Sequence, residues 1–198
     1  MTTGFKVQLN REHLVTIAAD NLSTLAVHVM GGCIRPELAN CEVSGGLYNE
    51  GPENISLSWT PDLELKSGDE LSITFVDNAS ISHPGKTNDE RYPDGPTEED
   101  CSLSTEGRLD KLEKAARSRD GFQLHLTAPN GDQLEICSID DSYSFSFGIH
   151  WDWTRPEQAR VTLRTYPIRW LKDNTGSTDH ARFEIAFGDQ VAFRVSER

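Results

Sequence analysis

The sequence predicts an all-β protein of two tandem β-sandwich-like domains joined by a loop and one short helix. Three observations carry this. Short runs alternating apolar with polar residues recur along the 198 residues, the period of strands buried on one face. Gly, Pro, Asn and Asp separate them, and long helical crossovers are absent, which disfavours a parallel sheet. Finally, one pattern occurs twice, 120 residues apart. Leu14, Leu25, Val27 and Val29 map onto Leu134, Phe145, Phe147 and Ile149. Leu63, Leu65 and Gly68-Asp69 map onto Phe183, Ile185 and Gly188-Asp189. Leu71, Ile73 and Phe75 map onto Val191, Phe193 and Val195, and Asp20 falls on Asp140. No gap is needed, which suggests two copies of one β-unit.

In the first copy, Phe5, Val7 and Leu9 alternate with polar neighbours as a strand. Asn10-Arg11-Glu12 suits a hairpin into a second strand over 14–18. After the Asp20-Asn21 turn, 24–30 alternates cleanly, with Leu25, Val27 and Val29 on one face. Gly31-Gly32 ends it. Residues 42–48 and 55–59 are further strands. Pro61 and Ser67-Gly68-Asp69 are punctuation, and 70–76 closes the copy. Gly68-Asp69 and Gly188-Asp189 are expected as tight turns whose Asp side chains bond nearby amides.

Residues 78–104 hold Pro84, Pro93, Pro96, Gly85, Gly95 and many charges, and are expected as a linker. A short helix is predicted over 105–119, capped by Thr105, with Leu109, Leu112 and Ala116 on one face. The domain boundaries are therefore 1–77, 78–121 and 122–198.

In the second copy, Phe122, Leu124 and Leu126 repeat Phe5, Val7 and Leu9. Pro129-Asn130-Gly131-Asp132 is a hairpin turn. A strand over 134–139 follows, and then the clearest strand, with Phe145, Phe147, Ile149, Trp151 and Trp153 on one face and Ser144, Ser146, Gly148, His150 and Asp152 on the other. Strands over 161–165, 168–171, 182–186 and 191–195 complete the copy.

The net charge is −13 and unevenly spread. Residues 1–77 hold 11 acids and 4 bases, net −7; 78–121 and 122–198 are each net −3. Such a surface repels nucleic acid and anionic membranes and attracts basic proteins. The N-terminus lacks a signal-peptide core, and no apolar stretch is long enough for a membrane span, so a cytoplasmic protein is expected. Cys33, Cys41, Cys101 and Cys137 form no CxxC pair. Cys33 and Cys41 could meet across a loop, but reduced thiols are the expectation for that compartment.

His150 and Asp152 share a strand face, the one pairing that suggests a general base. It stands without a GxSxG elbow or an HExxH motif, so no catalytic residue, metal site or cofactor is predicted. The acids Glu90, Asp94, Glu98, Glu99 and Asp100 lack calcium-loop spacing. Trp151 and Trp153 continue the Phe145 face and are expected in the core. Trp59, Tyr166 and Trp170 are candidates for a sugar-stacking platform.

The opening strand Phe5 to Leu9, the Leu25-Val27-Val29 strand, Ser44-Gly45-Gly46-Leu47 and Leu65-Lys66-Ser67-Gly68-Asp69-Glu70-Leu71 together resemble small bacterial all-β proteins of unknown function, of accessory or immunity-like kind. The resemblance covers about 70 residues and implies the fold and a bacterial origin, with no catalytic residues to carry over. The expected function is a non-enzymatic protein that binds a basic protein partner through Glu50, Glu53, Asp62 and Glu64. The alternative is a carbohydrate- or small-ligand-binding module using Trp59, Tyr166 and Trp170.

Overall fold

In the computed structural model, residues 2–48, 54–60, 63–95, 112, 114–138 and 142–198 are described. The strands are β1 (Gly4–Leu9), β2 (Glu12–Ala18), β3 (Thr24–Gly32), β4 (Ala39–Leu47), β5 (Ile55–Ser58), β6 (Leu63–Leu65), β7 (Glu70–Val76) and β8 (Lys86–Thr87), then β9 (Phe122–Thr127), β10 (Gln133–Cys137), β11 (Ser142–Asp152), β12 (Gln158–Pro167), β13 (Thr178–Ala186) and β14 (Gln190–Glu197). Among the described residues, two complete one-turn helices interrupt them, α1 (Asn88–Arg91) and α2 (Trp170–Asp173). One antiparallel sheet has six strands in the order β10-β9-β14-β7-β1-β2. The other has eight, β13-β12-β11-β3-β4-β5-β8, with β6 also on β4.

The expected all-β class is present, but the two sequence halves do not form separate sandwiches. Both sheets run through both halves, joined at β7–β14 in one and β3–β11 in the other. The register at these joints is specific. Ser72 faces Ala192, and His28 faces Gly148; each pair is 120 residues apart. Residues so opposed sit on a pseudo-two-fold axis. The flanking ladders keep the same offset. Val27 faces Val43 as Phe147 faces Leu163, and Ala39 faces Leu65 as Ala159 faces Ile185.

The offset slips in the outer hairpins. Phe5 lies opposite Phe75, while the residue opposite Val195 is Leu124, so Leu124 rather than Phe122 is the counterpart of Phe5. A register shift between Val7 and Gln8 leaves Leu14 as an extra, unpaired residue. Leu134 therefore takes the register position of Val15, and the 120-residue offset does not run unbroken through the outer hairpins. A bulge inserts one residue on one strand only, which a pattern match absorbs as a one-residue misalignment.

The two Gly-Asp turns are near copies. The Asp69 carboxylate accepts from Lys66 N, and the Asp189 carboxylate from Ala186 N, both at 2.8 Å. Gly68 and Gly188 have φ of 92° and 89°, where a side chain would be strained. Gly68 N donates to Val195 O and Gly188 N to Phe75 O. Each turn thus extends the joint by bonding the other half.

Alternation puts one face of each sheet inward. Phe5, Leu71, Ile73, Phe75, Leu124, Val191, Phe193 and Val195 of one sheet and Leu25, Val27, Val29, Phe145, Phe147 and Ile149 of the other are nearly inaccessible and form one cluster. Phe147 stacks on Phe193 across the layers, centroids 4.3 Å apart, and Phe122 packs on Phe145 at 4.9 Å. Trp151 is buried as expected, but Trp153 is 66% exposed, because β11 ends at Asp152 and a turn follows.

Three other expectations change. The predicted 168–171 strand is instead a turn at 168–169 running into α2, where Asn174 closes the helix in the left-handed region at φ 56°. The described part of 78–104 is not a plain linker. β8 pairs with β5, and α1 begins with a capping box between Thr87 and Glu90. Of the predicted 105–119 helix, 105–111 and 113 lie outside the described residues, Leu112 and Lys114 are helical, and 115–119 is not. There Ser118 N donates to Cys33 O, and the buried Arg119 side chain donates to the carbonyls of Gly32, Arg35, Pro36 and Glu37 and pairs with Glu197. This ties the inter-half segment to the end of β3 and to β14. Cys33 and Cys41 are buried and free, and Cys137 is exposed and free.

Phe147→Ala should lower stability by about 3–5 kcal/mol, as core aromatic truncations do. A loss in urea denaturation below about 1 kcal/mol would contradict its central place. Arg119→Ala should cost about 3 kcal/mol or more by stranding several carbonyls, with Arg119→Lys recovering little because one ammonium cannot fork to them. An Arg119→Ala protein with an unchanged urea midpoint would refute the clamp.

Candidate functional site

The outward face of the eight-stranded sheet carries the polar side chains that the alternation turns away from the core. At its centre lies His28, with Gly148 opposite. A Cβ on Gly148 would sit 3.6 Å from His28 Cδ2, so the imidazole crosses over a glycine. Its Nε2 is 2.8 Å from Ser146 Oγ. Burial lowers the pKa of His28, partly opposed by the Glu42 charge.

Toward the β4–β6 edge, a concavity of about 350 Å³ is lined by His28, Met30, Arg35, Glu37, Glu42, Glu64 and Arg91 among others. The Thr87–Glu90 capping box fixes α1, and Arg91 from that turn pairs with Glu42 at 2.8 Å. Its guanidinium also lies over the Tyr92 ring, 5.1 Å from the centroid. Met30 is 54% exposed here. Of the predicted partner-binding acids, Glu64 is exposed on this rim. Glu50, Glu53 and Asp62 lie outside the described residues. Glu37 and Glu42 were missed by sequence reasoning. Glu42 had a visible signal, since it alternates with Cys41 and Val43 on a strand and so points outward.

The predicted aromatic trio is split. Trp59 is 5% exposed, and its Nε1 donates to His83 O at 3.0 Å. Segment 83–85 lies on the indole, and a Cβ on Gly85 would come within 3.0 Å of Trp59 Cε2. Trp59 is thus a covered core residue. Tyr166 and Trp170 do come together at the opposite end of the sheet, centroids 4.7 Å apart and planes at 55°. They line a cleft of about 490 Å³ with Arg164, Asn174, Ser177 and Asp179.

His150 and Asp152 share the outer face, but the Asp152 carboxylate is engaged by Thr154 N and Oγ1. Those bonds hold its pKa down, and burial lowers that of His150 despite the nearby carboxylate. Asp152 therefore caps a turn rather than orienting a base. The Ser146–His28 contact does not make a hydrolase centre either. Ser146 lies on an interior strand opposite Met30 and Arg164, whose ladders use the backbone amides an oxyanion hole would need. Among the described residues, no three His, Cys, Asp or Glu side chains are placed to hold a metal ion. Nor is any helix among them long and apolar enough to cross a membrane.

Among protein-family models, curated proteins and solved structures, none matches this chain.

The depressed His28 pKa has a defined pH signature. Its folded value lies below the ordinary 6.5, so its contribution is complete above that pH and is lost as pH falls toward the folded value. His150 and His180, also lowered by burial, act in the same direction. The urea midpoint should fall between about pH 7.5 and about pH 5.5, and His28→Gln should flatten part of that slope. An unchanged slope would show that His28 protonates freely in the folded protein.

Proposed function

We propose that this is a non-enzymatic binding protein that takes a protein partner with a basic surface on the acidic end of its larger sheet. The observation that carries the reading is the concavity at the β4–β6 edge, where Glu37, Glu42 and Glu64 surround an exposed Met30. Arg91 offsets Glu42, and Arg35 also lines the site. The wider field favours a cation all the same, because residues 1–77 are net −7 and complementary charge speeds encounter. Met is adaptable at a binding surface. Glu50, Glu53 and Asp62 flank β5 in sequence and add to the same acidic half.

The reading places the protein in a bacterial cytoplasm, as an immunity-like or accessory protein, in keeping with the resemblance of its first half. It takes the two halves as copies of one unit, supported by the single 120-residue offset at both sheet joints.

A partner captured from host lysate should bind purified protein with an affinity that weakens as salt rises. Neutralising Glu37 and Glu64 together, or Glu50, Glu53, Asp62 and Glu64 together, should slow association about fivefold or more at low salt and reduce the salt dependence. Binding unaffected by salt and by both sets of substitutions would rule out this surface. Loss of an enzymatic turnover in His28→Ala or His150→Ala would overturn the non-enzyme reading itself.

A further inference from the structure

We propose that the cleft at the β12–β13 end is a second binding site, for a neutral carbohydrate whose pyranose ring lies against Tyr166 and Trp170. It is independent of the acidic concavity, which lies at the other end of the same sheet.

The cleft joins an apolar surface to a compensated ion pair. Tyr166 and Arg164 project from the outer face of β12, Asp179 from β13, and Trp170 from α2. The two rings meet at 55° rather than stacking flat, and both side chains are half-buried. Arg164 is ion-paired with Asp179, its Nε 2.5 Å from Oδ1, and its Nη2 donates to Oδ2 at 3.4 Å. A volume of about 490 Å³ lies in the range of small-ligand pockets.

The ion pair narrows the ligand class. A cation would meet a carboxylate already neutralised by Arg164, and an anion a guanidinium already held by Asp179. A purely apolar ligand would bury both charges without replacing their water. A neutral polyol suits the set. Its hydroxyls donate to Asp179 and accept from Arg164, Asn174 and Ser177, while its C–H face covers the negative face of an aromatic ring.

The loop that completes the cleft is already organised. Asn174 N donates to Trp170 O at 2.9 Å. The Asp173 carboxylate accepts from Thr175 N at 3.0 Å and Oγ1 at 2.6 Å. Gly176 has φ 81°, and a Cβ there would fall 2.7 Å from Arg169 Nε. A preformed loop lowers the ordering cost of binding. The fold itself does not require these side chains. The positions 120 residues before Arg164 and Tyr166 are Ser44 and Gly46, and the first half builds its β3–β4 ladder with them.

The test is titration of the intact protein with neutral gluco-, galacto-, manno- and chito-oligosaccharides, read by calorimetry and saturation-transfer NMR. Tetramethylammonium and a uronic-acid oligosaccharide serve as charged comparisons. At least one neutral sugar should bind with a dissociation constant of about 1 mM or below. Trp170→Ala and Asp179→Asn should each weaken it about tenfold or more. Ser177→Ala should weaken it less, and Glu64→Gln should leave it unchanged. Thermal melts confirm that each variant is folded; if Asp179→Asn unfolds the hairpin, Trp170→Ala and Ser177→Ala decide. Absence of binding by every neutral sugar at millimolar concentration, preference for either charged compound, or full affinity in folded Trp170→Ala would overturn the proposal. Because Glu64→Gln separates the two ends of the sheet, failure here is distinct from failure of the protein-partner reading.

Discussion

The two joints at β3–β11 and β7–β14 are the constraint on which the rest of this structure depends. Each is an antiparallel ladder centred on residues 120 positions apart, His28 with Gly148 and Ser72 with Ala192. Side-chain direction in a strand has period two, so a one-residue slip at either joint would turn a whole apolar row outward. With the joints in register, Phe147 reaches Phe193 and the rows of both halves fill one space. The glycine turns reinforce this, because Gly68 and Gly188 each donate across the joint to the opposite half.

The inner and outer faces of the larger sheet obey different rules. Inside, paired positions are interchangeable in kind: Val27 and Phe147, Val43 and Leu163, Leu65 and Ile185. Outside, equivalent positions differ in chemistry. His28 stands against Gly148, Glu42 against Thr162, and Ser44 and Gly46 against Arg164 and Tyr166. Burial restricts the first set to apolar residues, whereas the outer face accepts side chains of many kinds. The proposed sites occupy the two ends of that outer face, one acidic and one aromatic.

Much of the fold was legible because alternation and turn chemistry are local. The strands around Leu25 and Phe147 and the Gly-Asp turns follow from period and from glycine geometry alone. The pairing between halves was not legible. Nothing in the periodicity of Val27 tells whether β11 lies beside β3 or in a separate domain, since both arrangements bury the same rows. The Leu14 bulge was hidden for a related reason, as an extra residue changes register without changing composition. Of the sites, Tyr166 and Trp170 could be named from the sequence, but Trp59 could not be separated from them, because its burial depends on segment 83–85. Arg119 is the last residue of the predicted 105–119 helix, but its role arises from the carbonyls of residues 32, 35, 36 and 37, which only the folded chain gathers around it.

A single core shared by both halves is tested most directly by native-state hydrogen exchange across both joints. The account predicts that the slowest amides of β3, β7, β11 and β14 all exchange through one global opening with the same free energy and the same denaturant dependence. Protection in β11 and β14 that persists while β3 and β7 open would contradict it, and would mean that the halves fold as separate units.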